Sequence, residues 1–142
     1  MKNIPIGQIL VENGFLKEEQ LNEALEKQRT EPGKKLGDVL LELGYVSETQ
    51  LAQALSIRLK VPFIDLTTTK IDIEAVKKIP EAIAKKNCCV AFQMTDSRLT
   101  VATDDPINFY IFEELKVISG MEIHAMIATR TAINETINKA YS

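Results

Sequence analysis

The sequence predicts an α+β protein: a helical subdomain of two helix–turn–helix repeats over residues 1–60, then a small α/β subdomain with a short sheet over residues 61–142. Two observations predict this division. Residues 5–28 and 35–58 align without gaps at an offset of thirty, and both copies place apolar residues at helical spacing. The remainder contains short apolar segments that alternate with helical patterns and turn residues, which is typical of helices packed on a small sheet.

The repeat is the strongest signal in the chain. Nine of its 24 aligned positions are identical, and each copy reads Ile/Leu-Gly-x-x-Leu-x-x-x-Gly, six residues, then Leu-x-x-x-Leu. One such unit cannot bury its own apolar face, so we expect the two units to stack together.

Helical geometry accounts for the spacing within a copy. In the second copy one face of a helix is apolar, and Gly44 follows it as a residue able to end the helix in the left-handed conformation. That apolar face consists of Leu36, Val39, Leu40 and Leu43.

The start of the second helix differs between the copies. Ser47 and Gln50 form a predicted capping box in the second copy. Lys17 replaces the serine in the first copy, so we expect a weaker helix start there. Between the copies, residues 30–34 read as a turn.

Gly7 and Gly37 stand at helix starts, where glycine costs about 1 kcal/mol relative to alanine if it is fully helical. Close packing between helices would explain them. Backbone exposure beside a helix N-terminus, where free N–H groups favour a phosphate, is the alternative explanation. Sequence physics favours packing and leaves both explanations open.

The sequence of residues 61–142 predicts short strands and helices that alternate along the chain. Asp96 and Ser97 form the two-residue turn of a hairpin, and Asp105 followed by Pro106 is a good N-cap and first helical residue. Phe109, Tyr110 and Phe112 are expected to pack in the core and against helices rather than to form a base-stacking platform. The predicted strands cover residues 63–66, 88–95, 98–103 and 122–128, and the predicted helices cover 72–78, 80–86, 106–118 and a final segment carrying Ile133, Ile137 and Tyr141 on one face.

Composition excludes several functions. The chain has 17 basic and 20 acidic residues, a net charge of −3 and a pI near 5.3, so neither half is a basic arm for polymeric nucleic acid. No apolar run reaches the length of a membrane span, which predicts no direct membrane insertion. The first ten residues lack the pattern of a secretory signal, and we expect a cytoplasmic protein.

No catalytic or metal constellation is visible. Cys88 and Cys89 are adjacent in an apolar stretch and read as reduced, small apolar residues of a strand. His124 is the single histidine and has no partners at metal-ligand spacing. No glycine-rich phosphate-binding loop precedes Gly33-Lys34-Lys35. We therefore expect that this chain is not an enzyme and that it binds no metal ion and no cofactor.

The tandem motif resembles the N-terminal domain of type IV pilus and type II secretion assembly ATPases. The segments Val61–Leu66 and Ala102–Asn108 resemble the second part of that domain. The resemblance implies cyclic di-GMP as a ligand, an attached ATPase domain in the full-length protein, and a location peripheral to the inner membrane through partners. The binding residues that it implies are Ile6, Gly7, Leu10, Gly14, Leu21, Leu25, Gln28, Lys35, Leu36, Gly37, Leu40, Gly44, Leu51, Leu55, Arg58 and Asp105.

The chain departs from the family pattern at the arginine that usually opens each motif. Pro5 takes that place in the first copy and has neither a side-chain donor nor an N–H. Lys35 takes it in the second copy and offers a point charge without the planar fork of arginine. Arg58 either compensates electrostatically or lies in solvent. Asp105 matches an aspartate that the resemblance associates with guanine recognition. Helix capping alone would also explain an aspartate at this position.

Two functions remain. One is a regulatory domain that binds cyclic di-GMP along both repeats and passes occupancy to the attached motor. The other is a docking module that links the ATPase to its inner-membrane platform protein without binding nucleotide. The loss of arginine at Pro5 favours docking, and the intact glycines and leucines of both copies favour the nucleotide.

Overall fold

A computed structural model describes residues 5–142, which form eight helices and three strands. The chain divides after Lys60 into two compact units. Each unit has its own cluster of buried apolar residues, and this α+β architecture confirms the predicted fold class.

The first unit consists of four helices whose bounds repeat at the thirty-residue offset. The short helices α1 and α3 begin at equivalent residues, as do the longer helices α2 and α4. Their bounds are α1 Ile6–Glu12, α2 Glu18–Thr30, α3 Leu36–Glu42 and α4 Glu48–Leu59.

The two repeats interlock. Helix α1 packs mainly against α4, and α2 packs mainly against α3, so each short helix pairs with the long helix of the other repeat. Leu10 and Leu40 are fully buried in the shared core. The two repeats therefore stack by pairing helices of one repeat with helices of the other, because neither repeat can bury its apolar face alone.

The helix ends follow the sequence closely. Gly14 and Gly44 adopt positive φ values of 75° and 74°, as the sequence predicted for Gly44. The Ser47 hydroxyl accepts a hydrogen bond from the Gln50 N–H at 3.1 Å, and the Gln50 side chain accepts from the Ser47 N–H at 3.0 Å, which confirms the capping box.

The second unit is built on a three-stranded sheet in the order β1-β2-β3. Strands β1 and β2 are antiparallel with an irregular register between Ala91 and Gln93, whereas β2 and β3 are parallel. The strands are β1 Cys89–Met94, β2 Arg98–Thr103 and β3 Glu122–Ile127.

Four helices complete this unit. Helices α5, α6 and α8 contact β1, and α7, the crossover between the parallel strands, contacts β3. Ile133 and Ile137 of α8 are buried as predicted. The helix bounds are α5 Ile73–Val76, α6 Glu81–Asn87, α7 Phe109–Ser119 and α8 Arg130–Ala140.

Tyr141 ties the end of α8 to the segment between α5 and α6. Its hydroxyl donates toward the carbonyl oxygens of Ile79 at 2.6 Å and Val76 at 3.1 Å. Burial, together with the nearby Cys89 and Glu81, raises the pKa of this phenol to about 12. The predicted inward face of α8 therefore extends through Tyr141.

Three sequence predictions were wrong in detail. Residues 63–66 make one parallel bridge, Phe63 to Ile127, rather than a strand. Cys88 is not in a strand: it ends α6 in the left-handed conformation with φ 49°. Helix α7 begins at Phe109 instead of Pro106, and the Asn108 side chain caps it by accepting from the Ile111 N–H at 3.4 Å.

Candidate ligand-binding site

The motif glycines are packing positions. A Cβ added at Gly7 would lie 2.6 Å from Leu21 Cδ1 and 3.4 Å from Leu36 Cδ2, so residues of both repeats meet there. At Gly37 the nearest atom is Leu51 Cδ2 at 3.0 Å. The first of the two explanations for these glycines, close helix packing, is therefore observed at both positions.

The motif leucines divide into two groups. Leu10 and Leu40 are completely buried, so in this structure they pack the core. The other group is accessible: Leu25 is 37% exposed, and Leu21, Leu51 and Leu55 are half-buried. The accessible leucines give α2 and α4 related apolar surfaces in the two repeats.

The remaining apolar and glycine positions flank these surfaces. Ile6 and Leu36 begin α1 and α3 and are half-buried. Gly14 and Gly44 are exposed, with nothing within 4 Å of an added Cβ. Their positive φ values identify them as helix-ending residues.

The polar positions are asymmetric between the repeats. Pro5 precedes α1 and Lys35 precedes α3, each at the N-cap. Lys35 is exposed, and within residues 5–142 its ammonium group makes no hydrogen bond or ion pair. The second repeat thus presents a free cation where the first presents a proline ring.

Gln28 and Arg58 are equivalent in sequence and different in structure. The Gln28 side chain donates to the carbonyl oxygen of Lys34 at 3.0 Å, which ties α2 to the turn between the repeats. Arg58 is exposed, and its side chain contacts no acid of the described chain at ion-pair distance. Gln28 is therefore already engaged, whereas Arg58 is available.

The residues that fix the turn between the repeats were not predicted from the sequence. Lys34 Nζ lies 2.6 Å from Glu42 Oε1 and 3.5 Å from Glu31 Oε2. The hydrogen bond from Lys34 lowers the pKa of the Glu42 carboxyl. The Tyr45 hydroxyl also donates to Glu23 Oε2 at 2.7 Å, which joins the repeats. The Lys34–Glu42 and Tyr45–Glu23 contacts follow no local spacing, so no sequence signal indicated them.

Asp105 lies in the second unit, on the turn after β2. It does not cap α7, and its carboxylate makes no hydrogen bond or ion pair within the described part of the chain. Its backbone N–H donates to Thr103 Oγ1 at 3.1 Å. The prediction that Asp105 caps this helix was therefore wrong, and Asn108 is the cap.

The prediction that the α7 aromatics are core residues was wrong for two of them. Phe109 is 76% exposed and Tyr110 is 90% exposed, whereas Phe112 packs against the core. Val117 lies two helical turns after Tyr110 on the same face and is 83% exposed. Helix α7 therefore carries an outward apolar face, and Phe109 and Tyr110 belong to this face rather than to the core.

Other chemistry is sparse. Within residues 5–142, no three His, Cys, Asp or Glu side chains are arranged to hold a metal ion. None of the helices described over that range combines the length and apolar character that crossing a membrane requires. Burial raises the pKa of the Cys89 thiol to about 12, so this thiol is unreactive at neutral pH.

The profile of the MshEN domain matches residues 59–142, more than half of the chain. The chain belongs to the MshEN domain family. The match covers the second unit and the end of α4, so the tandem repeat lies outside it. It confirms the family expected from the residues, since MshEN domains are the N-terminal domains that the tandem motif resembles.

Related proteins cover nearly all of this MshEN domain. It is 29% identical over 137 residues to the type IV pilus assembly ATPase PilB of Myxococcus xanthus, a match to 96% of this chain. The chain spans 24% of the length of that relative.

Solved structures show the same fold along the chain. The structure of MshE with cyclic di-GMP has a TM-score of 0.81 and 32% identity, and covers 97% of this chain and 99% of that chain. The N-terminal domain of XpsE has a TM-score of 0.68 and 22% identity, with 97% of each chain covered. This MshEN chain is therefore a regulatory domain and not a catalytic domain.

Proposed function

We propose that this MshEN domain binds cyclic di-GMP along its two tandem repeats and passes occupancy to the ATPase motor of a pilus or secretion assembly machine. The observation that carries the proposal is its likeness to MshE with cyclic di-GMP, which extends over nearly the full length of both chains at 32% identity. The PilB relative supports the attached motor.

The apolar part of the proposed site is formed by the accessible leucines. Leu21 and Leu25 on α2, and Leu51 and Leu55 on α4, leave apolar surface open to solvent on each repeat. Two equivalent apolar surfaces suit a ligand with two identical purines. Burying them against the bases would gain about 25 cal/mol for each Å² removed from water.

The charged part is confined to the second repeat. Lys35 is the N-cap of α3 and Arg58 lies in the last turn of α4, and within residues 5–142 neither side chain forms an ion pair. Pro5 offers no donor to the first phosphate. We therefore propose that the ligand is held asymmetrically, with its stronger phosphate contact at the second repeat.

Recognition of guanine is assigned to Asp105. A carboxylate accepts two hydrogen bonds, and the Watson–Crick edge of guanine offers adjacent N1–H and N2–H donors. Coupling to the motor requires only that the ligand favours one arrangement of the full-length protein over another. A cytoplasmic location beside the inner membrane, through partner proteins, belongs to the same proposal.

Titration calorimetry with cyclic di-GMP tests the proposal directly. We expect Lys35→Ala to weaken binding about five- to tenfold and to reduce its salt dependence, because a phosphate-facing charge is lost. Lys17→Ala is the matched control, since Lys17 is also an exposed N-cap lysine of this unit. Absence of binding heat and of any thermal shift for the wild-type domain would contradict the proposal.

Gly37→Val is a poor probe of binding in this structure. Its side chain would meet Leu51, because even a Cβ lies 3.0 Å from Leu51 Cδ2. Loss of affinity in that variant would report a displaced core contact as readily as a lost backbone contact. The exposed Lys35 avoids this ambiguity.

The exposed face of α7 favours a second function, docking to the platform protein at the inner membrane. Phe109, Tyr110 and Val117 present large apolar side chains to solvent. Tyr110→Ser with Val117→Ser should then abolish binding to a purified cytoplasmic domain of the platform protein and leave cyclic di-GMP affinity unchanged. Equal platform binding by this variant and the wild type would exclude docking through α7.

A further inference from the structure

The turn after β2 is held at several points, although its Asp105 carboxylate has no hydrogen-bond or ion-pair partner among residues 5–142. Thr103, the last residue of β2, is only 2% exposed, and its hydroxyl accepts the Asp105 N–H at 3.1 Å. The next residue along, Asp104, has a side chain that is 21% exposed. The backbone of the turn is thus anchored while one of its two acids remains free.

Arg130 holds the other acid from a distance of 26 residues in sequence. Its Nε donates to Asp104 Oδ2 at 3.0 Å. Arg130 is the first residue of α8, which begins directly after β3, and the Thr129 hydroxyl caps that helix by accepting the Ala132 N–H. Secondary structure therefore fixes the backbone from which Arg130 reaches the turn.

The sheet explains why these segments meet. Strands β2 and β3 are parallel, and Thr103 pairs with Ile127 at their carboxyl ends. The Ala128 N–H also donates to the Thr103 carbonyl at 3.1 Å. Ligands of α/β sheets bind outside the carboxyl ends of parallel strands, where loops converge. The Asp104–Asp105 turn and the start of α8 occupy that edge.

The thiol of Cys88 faces the same ion pair. Burial is the largest cause of a raised pKa, the Asp104 charge adds to the increase and Arg130 opposes it, and the resulting pKa is about 11. Cys88 itself has the left-handed conformation at the end of α6. The Asp104–Arg130 pair is consequently enclosed on one side by a neutral thiol rather than by a competing charge.

We propose that Arg130 is a positioning residue that holds the Asp104–Asp105 turn through Asp104 and so presents the Asp105 carboxylate to the guanine edge of the ligand. This inference rests on the proposed function. The Arg130 side chain is 70% exposed and the Asp104 side chain 21%, so the acid is the more enclosed member of the pair. We expect the loss of Arg130 to alter recognition, and unfolding of each variant measures any accompanying change in stability.

The experiment measures affinity for cyclic di-GMP and for cyclic di-AMP in the full 142-residue chain. We expect Arg130→Ala to weaken cyclic di-GMP binding about three- to tenfold and to reduce the preference for guanine over adenine. Asp104→Ala should behave alike, because it removes the same Arg130–Asp104 contact, and the double variant measures the coupling between the two side chains. Arg130→Lys should restore part of the affinity by keeping the charge.

Lys85→Ala is the matched control, since it breaks an exposed ion pair with Glu81 at 2.8 Å elsewhere in this unit. Amide exchange at Asp105 provides a readout without ligand, and we expect faster exchange in Arg130→Ala at an unchanged Tm. A wild-type domain that binds while Arg130→Ala retains control affinity and selectivity would overturn this inference alone. A wild-type domain that does not bind would overturn the proposed function as well.

Discussion

Gly7 and Gly37 occupy the same place in the two repeats but differ in how closely a leucine approaches. The leucine methyl group lies 2.6 Å from an added Cβ at Gly7 and 3.0 Å at Gly37. Both glycines are the second residue of a seven-residue helix, so the gain in helix propensity on substitution by alanine is common to both. The difference between the two variants therefore isolates the contact.

We expect Gly7→Ala to be less stable than Gly37→Ala by about 1 kcal/mol, because overpacking displaces Leu21 further than it displaces Leu51. Urea unfolding of the two variants beside the wild type measures this difference. The same substitution at both sites makes each variant the control of the other. A Gly7→Ala protein as stable as Gly37→Ala would show that Leu21 yields without cost.

At the scale of the element, the two long helices of the repeats begin differently. Ser47 and Gln50 exchange both hydrogen bonds of a capping box at the start of α4. At the start of α2 the Gln20 side chain accepts from the Lys17 N–H at 3.0 Å, but the lysine has no acceptor to return. Half of the box is therefore already formed in the first repeat.

Lys17→Ser should complete that box and stabilise the domain by about 0.5–1 kcal/mol, whereas Ser47→Ala should destabilise it by about 1 kcal/mol. Thermal and urea unfolding of both variants measure the two effects. Lys17→Ala separates the cap from the loss of the lysine charge. Equal stability of Lys17→Ser and Lys17→Ala would contradict the capping argument.

At the scale of the whole molecule, the chain has two cores of different size. The second unit buries a sheet and four helices around residues such as Phe92, Leu99 and Leu115. The first buries a smaller set contributed by both repeats. A domain of about 60 residues buries a lower fraction of its surface and is marginal in stability.

We therefore expect residues 61–142 to fold cooperatively when expressed alone and to bind no cyclic di-GMP, since the proposed leucine and lysine contacts lie in the first unit. Circular dichroism during thermal unfolding and calorimetric titration measure the two properties. The full 142-residue chain is the positive control for binding. Ligand binding by the fragment would place the site within the second unit and contradict the proposed role of the repeats.

Much of this fold could be predicted because its signals are local. The thirty-residue offset predicted four helices with equivalent starts, Gly44 took the left-handed conformation expected of it, and Ser47 formed its box. The candidate site was less predictable. Gln28 is engaged with the turn between the repeats, and Leu10 and Leu40 are core residues, which the motif alone does not distinguish from accessible positions.

The sequence by itself determined the repeat, the helix ends at Gly44 and Ser47, and the family, since each depends on residue types at short, regular separations. Tertiary structure alone decided that α1 pairs with α4, that Asn108 rather than Asp105 caps α7, and that Arg130 meets Asp104 across 26 residues. The first and third outcomes depend on contacts between segments distant in sequence, and the second depends on which residue of the turn lies at the helix start. No local pattern carries that information, so Asp105 changes from a helix cap into the free carboxylate of the proposed site.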